Sequence, residues 1–340
     1  MRNIKQVVLI RIICYLQLIS VLIISCSDNE RPPLSFYYWK QSFSLSKEQQ
    51  NILKETKVKR LFVRFFDVIL DKNNQPKPNS KINFKHRTNL EVVPCVFIQN
   101  EVFSSHKDFK SLAKKITKLI REIAQHQHLR IKEIQIDCDW TEGTRNAYFA
   151  FLNEMHHEAN WSLICTIRLH QIKYQTSAGI PPVQKGLLMC YNMDDIDDLQ
   201  TPNSILSPSV LKTYVNENTT YPLKLDLAFP IYQWGLIFRL GKLSVISNDL
   251  SLDDLNHTSI KRIGKNVFLV KKNVIINETY LCKGDLLRHE TSELKELFQS
   301  ATIFKQINIT FDQLIFYHLS QNHLNSYDAA SLSEINRLIP

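Results

Sequence analysis

Beyond residue 34 the chain alternates two hydrophobic rhythms. Short, dense apolar runs fall at 36–40, 60–68, 91–98, 133–140, 162–170, 186–192, 223–232 and 313–318. Between most of them lie stretches whose apolar residues recur three and four apart, the spacing of one helix face. The clearest is 107–125, where Phe109, Leu112, Ala113, Ile116, Leu119, Ile120 and Ile123 form one stripe. Another is 145–159, with Ala147, Tyr148, Phe151, Leu152 and Met155. Alternation of strand and helix predicts a parallel sheet. Eight such units predict a closed α/β barrel of the (β/α)8, or TIM, class. One interval is far longer than a crossover requires. Residues 236–308 read as an α+β insertion between the seventh and eighth strands, with extra strands at 237–245 and 267–276 and a helix at 292–304. No Pro/Gly/Ser linker flanks it and no internal repeat is visible. A single barrel is therefore expected over 35–330, with the insertion carried on it.

The residues before 34 follow another pattern. Arg2, Lys5 and Arg11 stand without any acid, and 12–24 is almost wholly apolar. A basic start, an apolar run and a small residue at the cut describe a secretory signal. The run is shorter than the ~20 residues of a spanning helix. Ser25-Cys26 closes it and looks like a bacterial lipobox, whose Cys becomes the lipidated first residue. The expected organisation is a signal peptide over 1–25, a polar tether over 26–34, and a lipoprotein held to a bacterial outer membrane through Cys26, on its periplasmic or cell-surface face.

Composition narrows the chemistry. The net charge is +9, and removal of the leader leaves +6. No dense Arg/Lys run with interleaved aromatics accompanies that charge, and export argues against nucleic acid. Only seven glycines occur, and neither a dinucleotide fingerprint nor a phosphate loop is present. No cofactor is expected. Of seven cysteines, Cys95, Cys138, Cys165 and Cys190 sit in apolar runs and read as small buried residues rather than disulfides or ligands. No metal constellation stands out, and the chain is read as a monomer.

Chemistry in such a barrel belongs at the C-terminal strand ends. The fourth strand ends Gln135-Ile136-Asp137-Cys138-Asp139-Trp140. Alternation puts Ile134, Ile136 and Cys138 under the helices and Gln135, Asp137 and Asp139 in the mouth. Two carboxylates two residues apart repel, and one tends to have a raised pKa, which suits proton handling. The alternative is structural, with one acid salt-bridged and the other capping the next helix. The fifth strand places Thr166, Arg168 and His170 on one face, with Arg168 able to pair with either acid. The second strand contributes Arg64 and ends at Asp67. Aromatics crowd the strand ends: Tyr38, Trp39, Trp140, Tyr191, Tyr232, Trp234 and Tyr317. Flat aromatic faces stack on the apolar faces of sugar rings, while their OH and NH groups reach hydroxyls. A glycan or oligosaccharide is the expected partner.

The order of these motifs resembles the family-18 chitinase type of barrel over roughly residues 34–320. Asp137-Cys138-Asp139-Trp140-Thr141 falls on that family's Asp-x-Asp-x-Glu signature, and Met189-Cys190-Tyr191-Asn192 on its Met-x-Tyr-Asp motif. Ala228-Phe229-Pro230-Ile231-Tyr232 matches its seventh-strand motif loosely. The pattern of Gln135, Asp137, Asp139, Arg145 and Tyr148 is similar to an uncharacterised group of bacterial barrel proteins, and fits it better. The resemblance implies a glycoside-hydrolase-like protein with Asp139, or Glu142, as proton donor and Asp137 tuning it. Tyr191 and Asn192 would hold substrate, Arg168 and Arg145 would orient the acids, and Trp140, Tyr232 and Trp234 would stack on sugar. Two departures bear on turnover: Thr141 stands where the family has its general acid, and Asn192 where it has Asp. The same cleft without catalysis would be a chitinase-like lectin. A structural envelope lipoprotein is the third reading.

Overall fold

The computed structural model describes residues 33–340 except Asp249 and Asn325, and without the side chains of Gln321 and Asn322. The leader, the tether up to Pro32 and Cys26 lie outside the described residues. Eight parallel strands close a barrel in chain order: β1 (Leu34–Tyr38), β2 (Arg60–Leu70), β3 (Glu91–Ile98), β4 (Glu133–Asp137), β5 (Ser162–Arg168), β6 (Lys185–Met189), β7 (Lys224–Pro230) and β8 (Phe311–Tyr317). Leu34 pairs with Leu314 and Phe36 with Leu61, so β1 joins β8 to β2 and leaves no open edge between them.

The helix-facing layer forms as the spacing predicts. Helix Phe109–His126 begins where Asp108 accepts the Ser111 backbone N–H at 3.0 Å, and it buries Leu112, Ala113, Ile116, Ile120 and Ala124. Helix Arg145–Glu158 buries Tyr148, Phe151, Leu152 and Met155. Cys95, Cys138, Cys165 and Cys190 are buried free thiols.

Inside the barrel, polar side chains stack in layers from floor to mouth. At the floor, Arg60 reaches Glu133 at 2.8 Å and Glu91 at 2.7 Å. Lys185 reaches Asp226 at 3.0 Å, and Asp226 accepts the Gln313 side-chain N–H at 2.7 Å. Above them, the Gln135 carbonyl accepts the Tyr37 hydroxyl at 2.8 Å. Pairing offsets most of the cost of burying these groups, with Gln135 Nε2 and Asp226 Oδ1 left without a hydrogen-bond partner among the described residues.

Two strand ends differ from the expectation. β4 stops at Asp137, so Asp139 and Trp140 stand in the following loop. β5 stops at Arg168, and helix Leu169–Lys173 carries His170 out to solvent. Its first turn is fixed by the Arg168 backbone N–H donating to the Gln171 side chain at 2.8 Å.

Between β7 and β8 the chain builds a five-stranded antiparallel sheet in the order Lys242–Ser247, Gln233–Arg239, Leu286–Thr291, Val267–Val270, Ile260–Arg262. Its core gathers Ile237, Leu250, Leu255, Phe268 and Leu287. The single strand expected at 237–245 is instead a hairpin. The chain reverses at Leu240 and Gly241, with φ of 51° and 77°, the left-handed pair that a two-residue hairpin turn requires. The run at 267–276 also divides. Val267–Val270 joins the sheet, whereas Val274–Ile276 pairs with Thr279–Leu281. Helix Leu294–Phe304 then leads toward β8. A last helix, Ala329–Leu338, buries Leu332 and Ile335 and was not foreseen.

Candidate functional site

A cavity of about 260 Å³ opens at the C-terminal ends of the strands. Its walls come from most of the barrel: Tyr37 and Trp39 on and beyond β1, Arg64 and Asp67 on β2, Asp137 and Asp139 on and beyond β4, Arg168 on β5, Tyr191 and Asn192 beyond β6, and Tyr317 on β8. Alternation explains most of this set. Tyr37 and Trp39 share the inner face, while Phe36 and Tyr38 turn outward.

Arg64 and Asp67 are three apart, which strict alternation would place on opposite faces. The pairing of β2 with β3 shifts between Arg64 and Phe66, so Phe65 is an extra residue in the strand. A bulge of this kind re-aims the side chains that follow and brings Asp67 to the inner face. There it takes both Nε (2.7 Å) and Nη2 of Arg64. The Arg64 guanidinium also lies 5.7 Å from the centre of the Trp39 ring, a cation–π contact that holds the indole at the rim.

The two central acids have separate environments. Asp139 receives a two-point grip from Arg168, with Nε to Oδ1 at 2.6 Å and Nη2 to Oδ2 at 2.8 Å. Planar pairing of this type fixes orientation as well as charge. Asp137 lies deeper and accepts the Thr166 hydroxyl at 2.8 Å. Burial, and next the repulsion of Asp139, raise its pKa to about 6, against the lowering effect of Thr166 and Arg168. Asp137 is therefore the acid with the shifted pKa, and Asp139, expected to be the proton donor, is the one held by arginine.

The far wall is aromatic. Tyr191 and Tyr317 stack at 5.0 Å and 16°, and Tyr232 meets each edge-on. The Tyr232 hydroxyl donates to Asn192 Oδ1, and Asn192 holds a left-handed backbone with φ of 51°. Burial pushes the phenols of Tyr37, Tyr191 and Tyr317 upward, so they remain neutral donors.

Of the residues singled out from sequence, Trp39, Arg64, Asp137, Asp139, Arg168, Tyr191 and Asn192 line the cavity. The others given a site role do not. Tyr38 is buried outside the lumen, its hydroxyl donating to the Ser42 carbonyl at 2.7 Å and its ring against Phe43. Trp140 is core: its ring stacks on Tyr148 and its Nε1 donates to the Ala178 carbonyl at 3.1 Å. Arg145 is directed to the Ser177 carbonyl at 2.7 Å, not to the acids. Glu142 is exposed in a turn drawn tight by the Thr141 backbone N–H, which donates to the Thr144 hydroxyl at 3.0 Å. His170 is exposed on its helix. Tyr232 backs the wall.

Trp234 is held behind the wall by Glu290, which accepts its Nε1–H at 2.8 Å. Glu290 in turn faces Arg288 at 2.7 Å, both fully buried. Asp67 and Tyr317, noted at their strand ends in the sequence, also line the cavity. Sequence reading missed Tyr37 and the Arg288–Glu290 pair. Alternation from Trp39 identifies Tyr37, whereas nothing local to β2 announces the bulge.

No protein-family model matches the sequence, and no curated protein matches it. Solved structures do resemble the fold. The C-terminal domain of a putative chitinase from Desulfitobacterium hafniense superposes with a TM-score of 0.52 at 11% identity, covering 91% of this chain and 98% of that one. The spore cortex-lytic enzyme SleL of Bacillus cereus gives 0.49 at 12%, covering 91% and 74%. A mutant GH18 chitinase of Cycas revoluta in complex with (GlcNAc)4 gives 0.47 at 10%, covering 90% and 98%. What the likeness shows is the fold, a closed (β/α)8 barrel of the kind seen in that putative chitinase domain.

Proposed function

We propose that the barrel mouth is a carbohydrate-binding pocket that holds the end of a glycan without cleaving it. One observation carries this reading. Asp67 and Asp139 are each engaged at both oxygens by an arginine, and Glu142 lies outside the pocket. Among the described residues that leaves Asp137, deeper in the pocket, as the lining carboxylate without an arginine grip, and none at the rim to protonate a glycosidic oxygen. The sugar-binding features are intact: Trp39 stands at the rim for stacking, and Tyr37, Tyr191, Tyr317 and Asn192 offer hydroxyl and amide groups. The volume is below the ~300 Å³ at which drug-sized sites begin, which suits one ring better than a long segment. With the leader as read from sequence, the pocket would stand outside the cytoplasm on a membrane-anchored protein.

A second reading, hydrolysis, is favoured by Asp137, whose pKa of about 6 is near that of a working general acid. Calorimetric titration with a panel of oligosaccharides, N-acetylglucosamine oligomers among them, combined with product analysis, separates the two. The binding reading expects saturable binding with no new reducing ends, and roughly tenfold weaker binding in Trp39→Ala, near the upper worth of one aromatic contact. Turnover abolished by Asp137→Asn establishes the hydrolase instead. Neither binding nor turnover across the panel refutes both.

A further inference from the structure

The face opposite the mouth is formed by the N-terminal ends of the strands, and the chain enters the barrel there, with Pro33 immediately before β1. On the side of β2, β3 and β4, the segments leading into the strands are 56–59, 86–90 and 127–132. They carry Lys57, Lys59, Arg87, Arg130 and Lys132 and no acidic residue. All five are exposed. Of the acids that border these segments, Glu91 is bridged by Arg60 at 2.7 Å and Lys132 at 3.0 Å, Glu133 is bridged by Arg60 at 2.8 Å, and Glu55 is exposed at the end of the preceding helix. Beside this strip lies a cleft of about 390 Å³ whose floor includes Leu53, Val58 and Leu90 and whose rim includes Lys54 and Arg87. Basic side chains around an apolar floor match a surface that presents anionic groups above an apolar layer.

We propose that this face docks on an anionic phospholipid bilayer, with headgroup phosphates against the five basic residues and the apolar floor toward the glycerol level. The occupant follows from two observations. The charge is one-signed over three adjacent segments, as attraction to anionic headgroups requires. The chain joins the barrel at this same face only seven residues after Cys26, the lipid-attachment residue read from the sequence. Docking in this orientation turns the mouth, at the other end of the strands, away from the membrane. The proposal stands apart from the glycan reading.

Lysine acetylation footprinting of the full chain, read by mass spectrometry, tests it. The chain is placed in nanodiscs of pure phosphatidylcholine or of phosphatidylcholine with phosphatidylglycerol. Labelling of Lys57, Lys59 and Lys132 is expected to fall at least about fivefold in the anionic discs, the preference one basic residue draws from such a surface. It should recover at ~1 M salt, where the screening length shrinks to about 3 Å. Lys261, Lys265 and Lys271, exposed on the antiparallel sheet that follows β7, should label alike in both. Equal labelling of Lys57, Lys59 and Lys132 in the two discs overturns the proposal, as does an equal fall at the control lysines. Protection by a soluble anionic polysaccharide without discs would overturn the assignment to a bilayer.

Discussion

Asp137 offers a test of the site that does not require the ligand. Its pKa stands at about 6 against an ordinary 3.8, because burial and then Asp139 disfavour the charge. In the unfolded chain the group titrates at its ordinary value. Between those two pKa values the folded protein holds a proton that the unfolded chain has released. Stability therefore falls as pH rises through the window. The favourable contribution is complete below about pH 4 and lost above about pH 6. At ~1.4 kcal/mol per pH unit, the interval from 3.8 to about 6 amounts to about 3 kcal/mol. Asp137→Asn removes the charge and keeps an oxygen to accept the Thr166 hydroxyl, now at 2.8 Å. The variant should be more stable than the parent by up to about 3 kcal/mol at neutral pH, with the advantage vanishing near pH 4. Urea unfolding, followed by circular dichroism at steps of pH across the window, measures the difference through midpoint and slope. Asp226, whose pKa is also raised to about 6 by burial, adds to the parent's slope, so the difference between the two chains is what reports on Asp137. Parallel curves for parent and variant, or a less stable variant at neutral pH, would refute the reasoning.

Three further outcomes follow from the geometry. Glu290→Ala strands the fully buried Arg288 and should cost about 3–5 kcal/mol; a thermal midpoint near the parent's would show that Arg288 finds compensation elsewhere. Gly186→Ala would set a Cβ 2.3 Å from Ile167 Cδ1 and 2.9 Å from Leu225 Cδ2, an overpacking worth roughly 1–3 kcal/mol in urea unfolding; an unchanged midpoint would mean that both side chains yield freely. Tyr232→Phe removes the hydroxyl that Asn192 accepts and should lower stability by about 1 kcal/mol. No change on heating would deny that bond a role in holding the wall.

The barrel was legible because each strand begins in a dense apolar run and each long helix shows one apolar stripe, and both signals survive without knowledge of neighbours. Failures fell where a local signal was weak or masked. Leu240 and Gly241 reverse the chain with neither Asn nor Asp before the glycine, so the apolar run looked continuous across the turn. Leu240 is 97% exposed, and its hydrophobicity argued for a strand interior where the backbone makes a corner. At 271–273 the polar Lys271-Lys272-Asn273 does divide the next run, but three residues are too few to decide between a bulge and a break. Sheet membership of Val267–Val270 and Val274–Ile276 depends on different partners, which neither segment encodes alone.

The site shows the same division between what alternation settles and what tertiary partners settle. Asp137 and Asp139 share a face by their spacing, and their repulsion predicts that one pKa is raised. Which one is raised depends on depth and on Arg168. β4 ends at Asp137, so Asp139 enters the loop, where its side chain is half exposed and within reach of the guanidinium. Asp137 stays between Gln135 and the aromatic wall, with a neutral hydroxyl as its partner. The lost strand residues also decide Trp140 and Glu142. Once the chain leaves β4, the turn closed by Thr141 and Thr144 sends the indole into the helix layer and Glu142 to water. A carboxylate at 142 could serve the mouth only if that turn opened, and the Thr144 hydroxyl, which also donates to Asn100 at 2.6 Å, ties it to the loop after β3. The proposal that this barrel binds rather than cleaves thus rests on two arginine grips and one short turn.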